Sequence, residues 1–229
     1  LQKTHSPLNM SDLRRMRKKT RDNYILAYYQ QIKSGAVIVG KWVELLFERV
    51  IADIESKEII FDQKKANDAI EWIENHCFHT EGFLAPGNLK LELWQKALVS
   101  CLFGLCDPKT KKRQFRECVL IIARKNGKSL LASAIAKYVF EQCGGFGTRV
   151  YCIAPKLDQA EIIYNNIWQM VQLDPEWQEI KRQVEESAVG HNKRELDDSV
   201  IAKHRQTDLC IGATNSTVKK IAFNARKSD

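Results

Sequence analysis

The sequence has no apolar run approaching the roughly 20 residues that a membrane-spanning helix needs. Its first residues, Leu1 to Pro7, hold none of the apolar core of a signal peptide. Together these absences lead us to expect a cytoplasmic chain. The seven cysteines, at 77, 101, 106, 118, 143, 152 and 210, show no repeated short spacing, so no disulfide framework is expected. Cys118 and Cys152 fall inside apolar strand patterns and read as small buried hydrophobes. His76, Cys77 and His79 lie close together, yet no second Cys/His pair completes four metal ligands, and the cluster reads as structural. There is no internal repeat and no low-complexity tract.

What remains is a globular composition, 44% hydrophobic and 28% charged over 229 residues, enough for one large or two small domains. Lys and Arg number 36 against 28 Asp and Glu, a formal charge of +8. The excess is clustered. Arg14, Arg15, Arg17, Lys18, Lys19 and Arg21 form one group and Lys109, Lys111, Lys112 and Arg113 another. Either could meet a polyanion, or simply be a solvated basic face.

Periodicity places a helix over Asp22–Lys33, ended by Ser34-Gly35. Ala36–Ile54 continues as a second amphipathic helix or as a helix with a kink near Gly40, and would bury Trp42, Leu45, Leu46, Val50 and Ile54. Asp62 is a cap for a helix through Ala66, Ala69, Ile70, Ile73 and Cys77. The Gly, Pro and Asn residues between Glu81 and Asn88 mark a loop and a domain boundary, which divides the chain into a helical N-terminal subdomain over 1–88 and a core over 89–229. In the core, a helix from Leu91 to Phe103 leads through a charged turn to an apolar strand, Cys118–Ile122.

That strand runs into Ala123-Arg124-Lys125-Asn126-Gly127-Lys128-Ser129 and then into an apolar helical pattern extending to about Gln142. Strand, polar loop and helix are the context of a phosphate-binding loop, in which backbone N–H groups and the helix dipole converge on an anion. Gly127 would let the backbone approach, Lys128 would neutralise terminal phosphate oxygens and Ser129 would offer its hydroxyl to Mg2+. The full pattern is G-x-x-x-x-G-K-[ST], and Ile122 stands where the first Gly belongs. The plainer reading of the bare tripeptide is an exposed loop with Ser129 as an N-cap.

A second strand, Arg149–Ala154, is followed by a helix with Asp158 as its cap and Ala160, Ile163, Ile167 and Val171 on one face. A short helix over Trp177–Val184, an irregular stretch over Glu185–Arg205, and strands over Leu209–Ala213 and Val218–Phe223 complete the pattern. Strand, helix, strand, helix argues a parallel sheet with right-handed crossovers.

With these motifs the chain resembles the N-terminal ATPase region of a tailed-bacteriophage terminase large subunit. The resemblance covers most of the chain. It rests on Arg124 to Ser129 without the first Gly, on the helix after a Ser-Gly turn over Gly35–Asp53, on Leu93-Trp94-Gln95 upstream of the loop, and on Val150–Gln159. It implies an α/β P-loop NTPase of the RecA-like type, a parallel sheet flanked by helices. It further implies an ATP hydrolase that powers translocation of double-stranded DNA into procapsids, with ATP and Mg2+ as cofactors. Partners would be double-stranded DNA, a portal protein, a small terminase subunit and further copies in a ring, with no membrane, in the cytoplasm of an infected bacterium and outside the mature virion. Lys128 and Ser129 would meet phosphate and Mg2+, Arg124 the terminal phosphate, and Gln95 the adenine edge. No apolar strand ending in Asp-Glu precedes Asp229, so a fragment cut short of a second catalytic motif and of a nuclease domain is expected. A helicase of the superfamily 2 type and a non-catalytic DNA-binding protein remain open.

Overall fold

Residues 23–187, 202–204, 208–211 and 214–223 are described by a computed structural model, and contacts divide the chain into two units. The basic residues at 14–21, most of the irregular stretch over 185–205 and the last six positions lie outside the described residues.

The first unit takes residues up to Ile70 and from Leu91 to Val119. Helix α1, Tyr24–Lys33, begins where the Asn23 side chain accepts from the Leu26 N–H at 3.0 Å, satisfying one of the helix's open donors. Helix α2 spans Lys41–Glu55 with extended Gly40 as its N-cap, so Ala36–Gly40 is not the helical start that periodicity predicts. Its buried stripe is also rotated from the expected one. Phe47 and Val50 enter the core with Ile51 and Ile54 packed against it, while Trp42 is 80% exposed and Leu45 and Leu46 are also exposed. Two apolar stripes on one helix satisfy the same periodicity, and packing chooses between them. Strand β1, Ile60–Phe61, pairs antiparallel with β2, Leu105–Cys106. Helix α3, Gln63–His76, starts behind Asp62, whose Oδ1 accepts from the Lys65 N–H at 3.1 Å. Helix α4, Leu93–Gly104, packs on α1 through Ala97 and Cys101. A Cβ on Gly104 would stand 2.8 Å from both the Ala66 Cβ and a Phe61 ring atom, so only glycine permits that approach.

The second unit takes Glu71–Lys90 and the chain from Leu120. It contains α5, Lys128–Tyr138, which continues as one π-helical turn over Val139–Cys143. Strand β3 is Arg149–Ala154, as the sequence predicts. Helix α6, Leu157–Leu173, starts after Lys156 with no side-chain cap. Asp158 is therefore not the cap expected of it; it lies in the first turn, where a negative charge suits the helix dipole. Helix α7 is Pro175–Ser187, and strands β4, Ala202–His204, β5, Asp208–Ile211, and β6, Ser216–Ala222, follow. The sheet order is β3-β6-β5-β4. β3 and β6 run parallel in the register Arg149↔Thr217 to Ala154↔Ala222, whereas β6–β5 and β5–β4 are antiparallel. Phe140, Cys152, Tyr164, Ile167, Leu209 and Val218 form its core.

The architecture is mixed α/β, but the expected parallel sheet of the RecA-like type is not seen among the described residues. One cause is local. Cys118–Ile122 forms no strand. Val119 and Ile121 are 85% and 89% exposed, and Cys118 is exposed rather than buried. An apolar sequence makes a strand only where a neighbour takes its backbone donors and acceptors.

Candidate functional site

The loop from Ala123 to Gly127 is folded by its own backbone and one amide. Asn126 Nδ2 donates to the carbonyls of Ala123 and Arg124, both at 3.3 Å. Lys125 and Gly127 take left-handed conformations, with φ of 65° and 67°. For Gly127 that conformation is the requirement: it is the N-cap of α5, and any side chain there would be strained. No side chain caps α5, so its first-turn N–H groups keep their capacity for an anion and their share of the helix dipole. Ser129 sits in that first turn rather than at the N-cap.

A cavity of about 550 Å³ opens beside this loop. Arg124, Lys125, Gly127, Lys128, Ser129 and Leu130 line it from the loop and α5. Thr80, Glu81, Ile162 and Asn166 line it as well. Among the residues singled out from sequence, five therefore share one cavity, while Ala123 and Asn126 shape the loop behind it. Gln95 belongs to the first unit. There its Oε1 accepts from the Glu92 N–H at 2.8 Å, completing a capping box at the start of α4.

The end of α5 is anchored by charge. Lys137, fully buried, donates to Asp174 Oδ2 at 2.8 Å and to Glu141 Oε2 at 3.1 Å, and lies 4.7 Å from the Trp72 ring centroid. Asp174 closes α6, accepts from the Glu176 N–H at 3.1 Å and meets His76 Nδ1 at 3.1 Å. Burial raises the Glu141 pKa, against the pull of Lys137. The ligand atoms of His76, Asp174 and Glu176 lie within 4.8 Å of one another, and Asp174 also carries the Lys137 ammonium. Cys77 is fully buried, its thiol pushed up to about 12 by desolvation and placed 3.9 Å from the Ala134 carbonyl, which agrees with a structural reading of the His76–His79 cluster.

Sequence reasoning missed Thr80, Glu81, Ile162 and Asn166. Asn166 carried a weak signal, a polar residue beside Ile167 on the buried side of α6. Thr80 and Glu81 carried none, because their place depends on a fold that brings Thr80 Oγ1 to 3.0 Å from Asn166 Oδ1 across 86 positions.

The family model described as terminase large subunit, ATPase domain, matches residues 93–224. Among solved structures, the chain is similar to the crystal structure of the HK97 bacteriophage large terminase, with a TM-score of 0.50 and 20% identity. The match covers 72% of this chain and 29% of that one, so the chain spans under a third of that protein's length. At this identity the likeness is one of fold. No curated protein matches. No helix among the described residues is long and apolar enough to cross a membrane.

Proposed function

The chain belongs to the family of terminase large subunit ATPase domains, and we propose that it is the part of a viral DNA-packaging motor that binds and hydrolyses ATP. The cavity at the α5 N-terminus carries the reading. Its lining joins an uncapped helix start to the cations Arg124, Lys125 and Lys128, within the span that the family model matches. The triphosphate would lie over the first-turn N–H groups, with Lys128 on its terminal oxygens and Arg124 spreading charge from its guanidinium. Mg2+ fits the donor set, since Ser129, a hydroxyl-bearing residue, lines the same cavity and this ion keeps several waters beside one protein ligand; it would neutralise phosphate charge. Ala123 and Asn126 hold the loop's shape.

The finer assignments belong to the same proposal: a P-loop core of RecA-like ancestry over 89–229 behind a helical subdomain over 1–88, and an adenine contact from Gln95. They also include movement of double-stranded DNA into procapsids beside a portal protein and a small subunit, in a ring, within the infected host's cytoplasm. A motor that grips any sequence would draw on phosphate contacts, and the exposed Lys109, Lys111, Lys112 and Arg113 suit that.

Competition binding of ATP to the wild-type chain and to Lys128→Ala tests the reading. We expect ATP affinity to fall at least tenfold in the variant, as for a lost charge-assisted contact. Equal affinities would sink it.

A further inference from the structure

The cavity is lined by two chemically different sets of residues. One is cationic and donor-rich, and the proposal above assigns it the phosphates. The other, Thr80, Glu81, Ile162 and Asn166, has no part in that assignment.

Thr80 Oγ1 donates to Asn166 Oδ1 at 3.0 Å. Its proton is thereby engaged, so towards a ligand the hydroxyl offers only lone pairs. The adjacent Glu81 carboxylate is also an acceptor. Two neighbouring acceptors call for a ligand group that donates, and the carboxylate repels phosphate. The vicinal hydroxyls of a ribose meet both requirements, since each O–H can be given to one acceptor. Ile162, 51% exposed, adds apolar surface in the same cavity.

The segment is held in place. The His79 N–H donates to the Gly87 carbonyl at 2.9 Å, and the Leu89 N–H to the Cys77 carbonyl at 2.8 Å. Asn88 Nδ2 donates to the carbonyls of Glu74 and Asn75 at 3.2 and 3.0 Å, tying the loop to the end of α3. Asn166 is itself nine-tenths buried on α6, so Thr80 is oriented by a rigid partner.

We propose that Thr80 and Glu81 form the ribose subsite of this cavity, with Asn166 as the positioning residue for Thr80, and that the site thereby prefers a ribonucleoside triphosphate. The inference rests on the phosphate-binding reading, because only phosphates seated at Lys128 bring a sugar to this part of the cavity.

The test is competition binding of ATP, 2′,3′-dideoxy-ATP and inorganic tripolyphosphate, each with Mg2+ and with a chelator. We expect the wild-type chain to favour ATP over the dideoxy analogue by about tenfold, the size of hydrogen bonds to a charged or buried acceptor. In Glu81→Ala and in Thr80→Val that ratio should fall towards one, while tripolyphosphate affinity stays the same or rises. A wild-type ratio of one overturns the proposal without any variant. So does an unchanged ratio in both variants, or a loss in Glu81→Ala that is equal for all three ligands and confined to Mg2+, which would place Glu81 on the cation. Lys128→Ala separates the two levels: it should weaken all three ligands, and unchanged tripolyphosphate binding there would remove the phosphate reading instead.

Discussion

The Nζ of Lys137 lies 2.8 Å from Asp174 Oδ2, and both side chains are buried to within 1% of full enclosure. Lys137 stands on α5, which begins at Lys128, and Asp174 closes the helix that carries Asn166. One ion pair thus fixes the far ends of two helices whose other parts line the cavity. Glu141 and the Trp72 ring share the same ammonium, so removing it would leave the buried Asp174 and Glu141 without their common cation.

Lys137→Met should therefore cost about 3–5 kcal/mol of stability, the range for a buried pair broken from one side. Urea unfolding reads it as a lowered midpoint at an unchanged slope. A loss below about 1 kcal/mol, the scale of an exposed pair, would show that the interior tolerates the carboxylates without their cation.

The Glu141 carboxyl gives a pH test. Burial raises its pKa above the ordinary 4.5 in the folded state, with Lys137 opposing. The folded chain therefore holds this proton more tightly than the unfolded chain does. Its contribution favours folding at acid pH and declines as pH rises from the ordinary value through the raised one. Glu141→Gln does not titrate, so the difference in Tm, wild type minus variant, should fall as pH rises from the ordinary 4.5 through the raised value and level off above it. A difference that is flat with pH would contradict the assignment.

Gln95 invites two roles that one substitution separates. Its capping bond to the Glu92 N–H means that Gln95→Ala should cost about 1 kcal/mol, while Gln95→Glu keeps the capping box. If Gln95 also reads the adenine edge, Gln95→Glu alters the preference for ATP over GTP at unchanged Tm. An unaltered preference would leave Gln95 as a cap and nothing more.

Thiol labelling tests the burial pattern. Cys118 and Cys143 are exposed, although desolvation raises the Cys118 thiol as well, whereas burial pushes the thiols of Cys77 and Cys101 up to about 12 and that of Cys152 to about 11. A disulfide reagent at mildly alkaline pH should modify Cys118 and Cys143 in the folded chain and reach the other three only on unfolding. Rapid labelling of Cys77 would mean that its helix end opens readily.

Much of the site was legible before any fold was known, because its chemistry is local. A glycine before an apolar helix, followed by Lys128 and Ser129, places a helix start with a cation beside it, and the structure adds that no side chain caps it. Strand β3 and the Asp62 cap were equally readable, for their period or capping residue lies within a few positions. The sequence alone thus placed the loop before α5 and most of the helices. Tertiary structure decided what depends on distant partners: that Cys118–Ile122 finds no pairing strand, that α2 buries Phe47 and not Trp42, and that Lys137 is enclosed with Asp174. It also decided that Thr80 and Glu81 line the cavity beside the Ala123–Gly127 loop. Periodicity states which residues share a face; only packing states what that face meets.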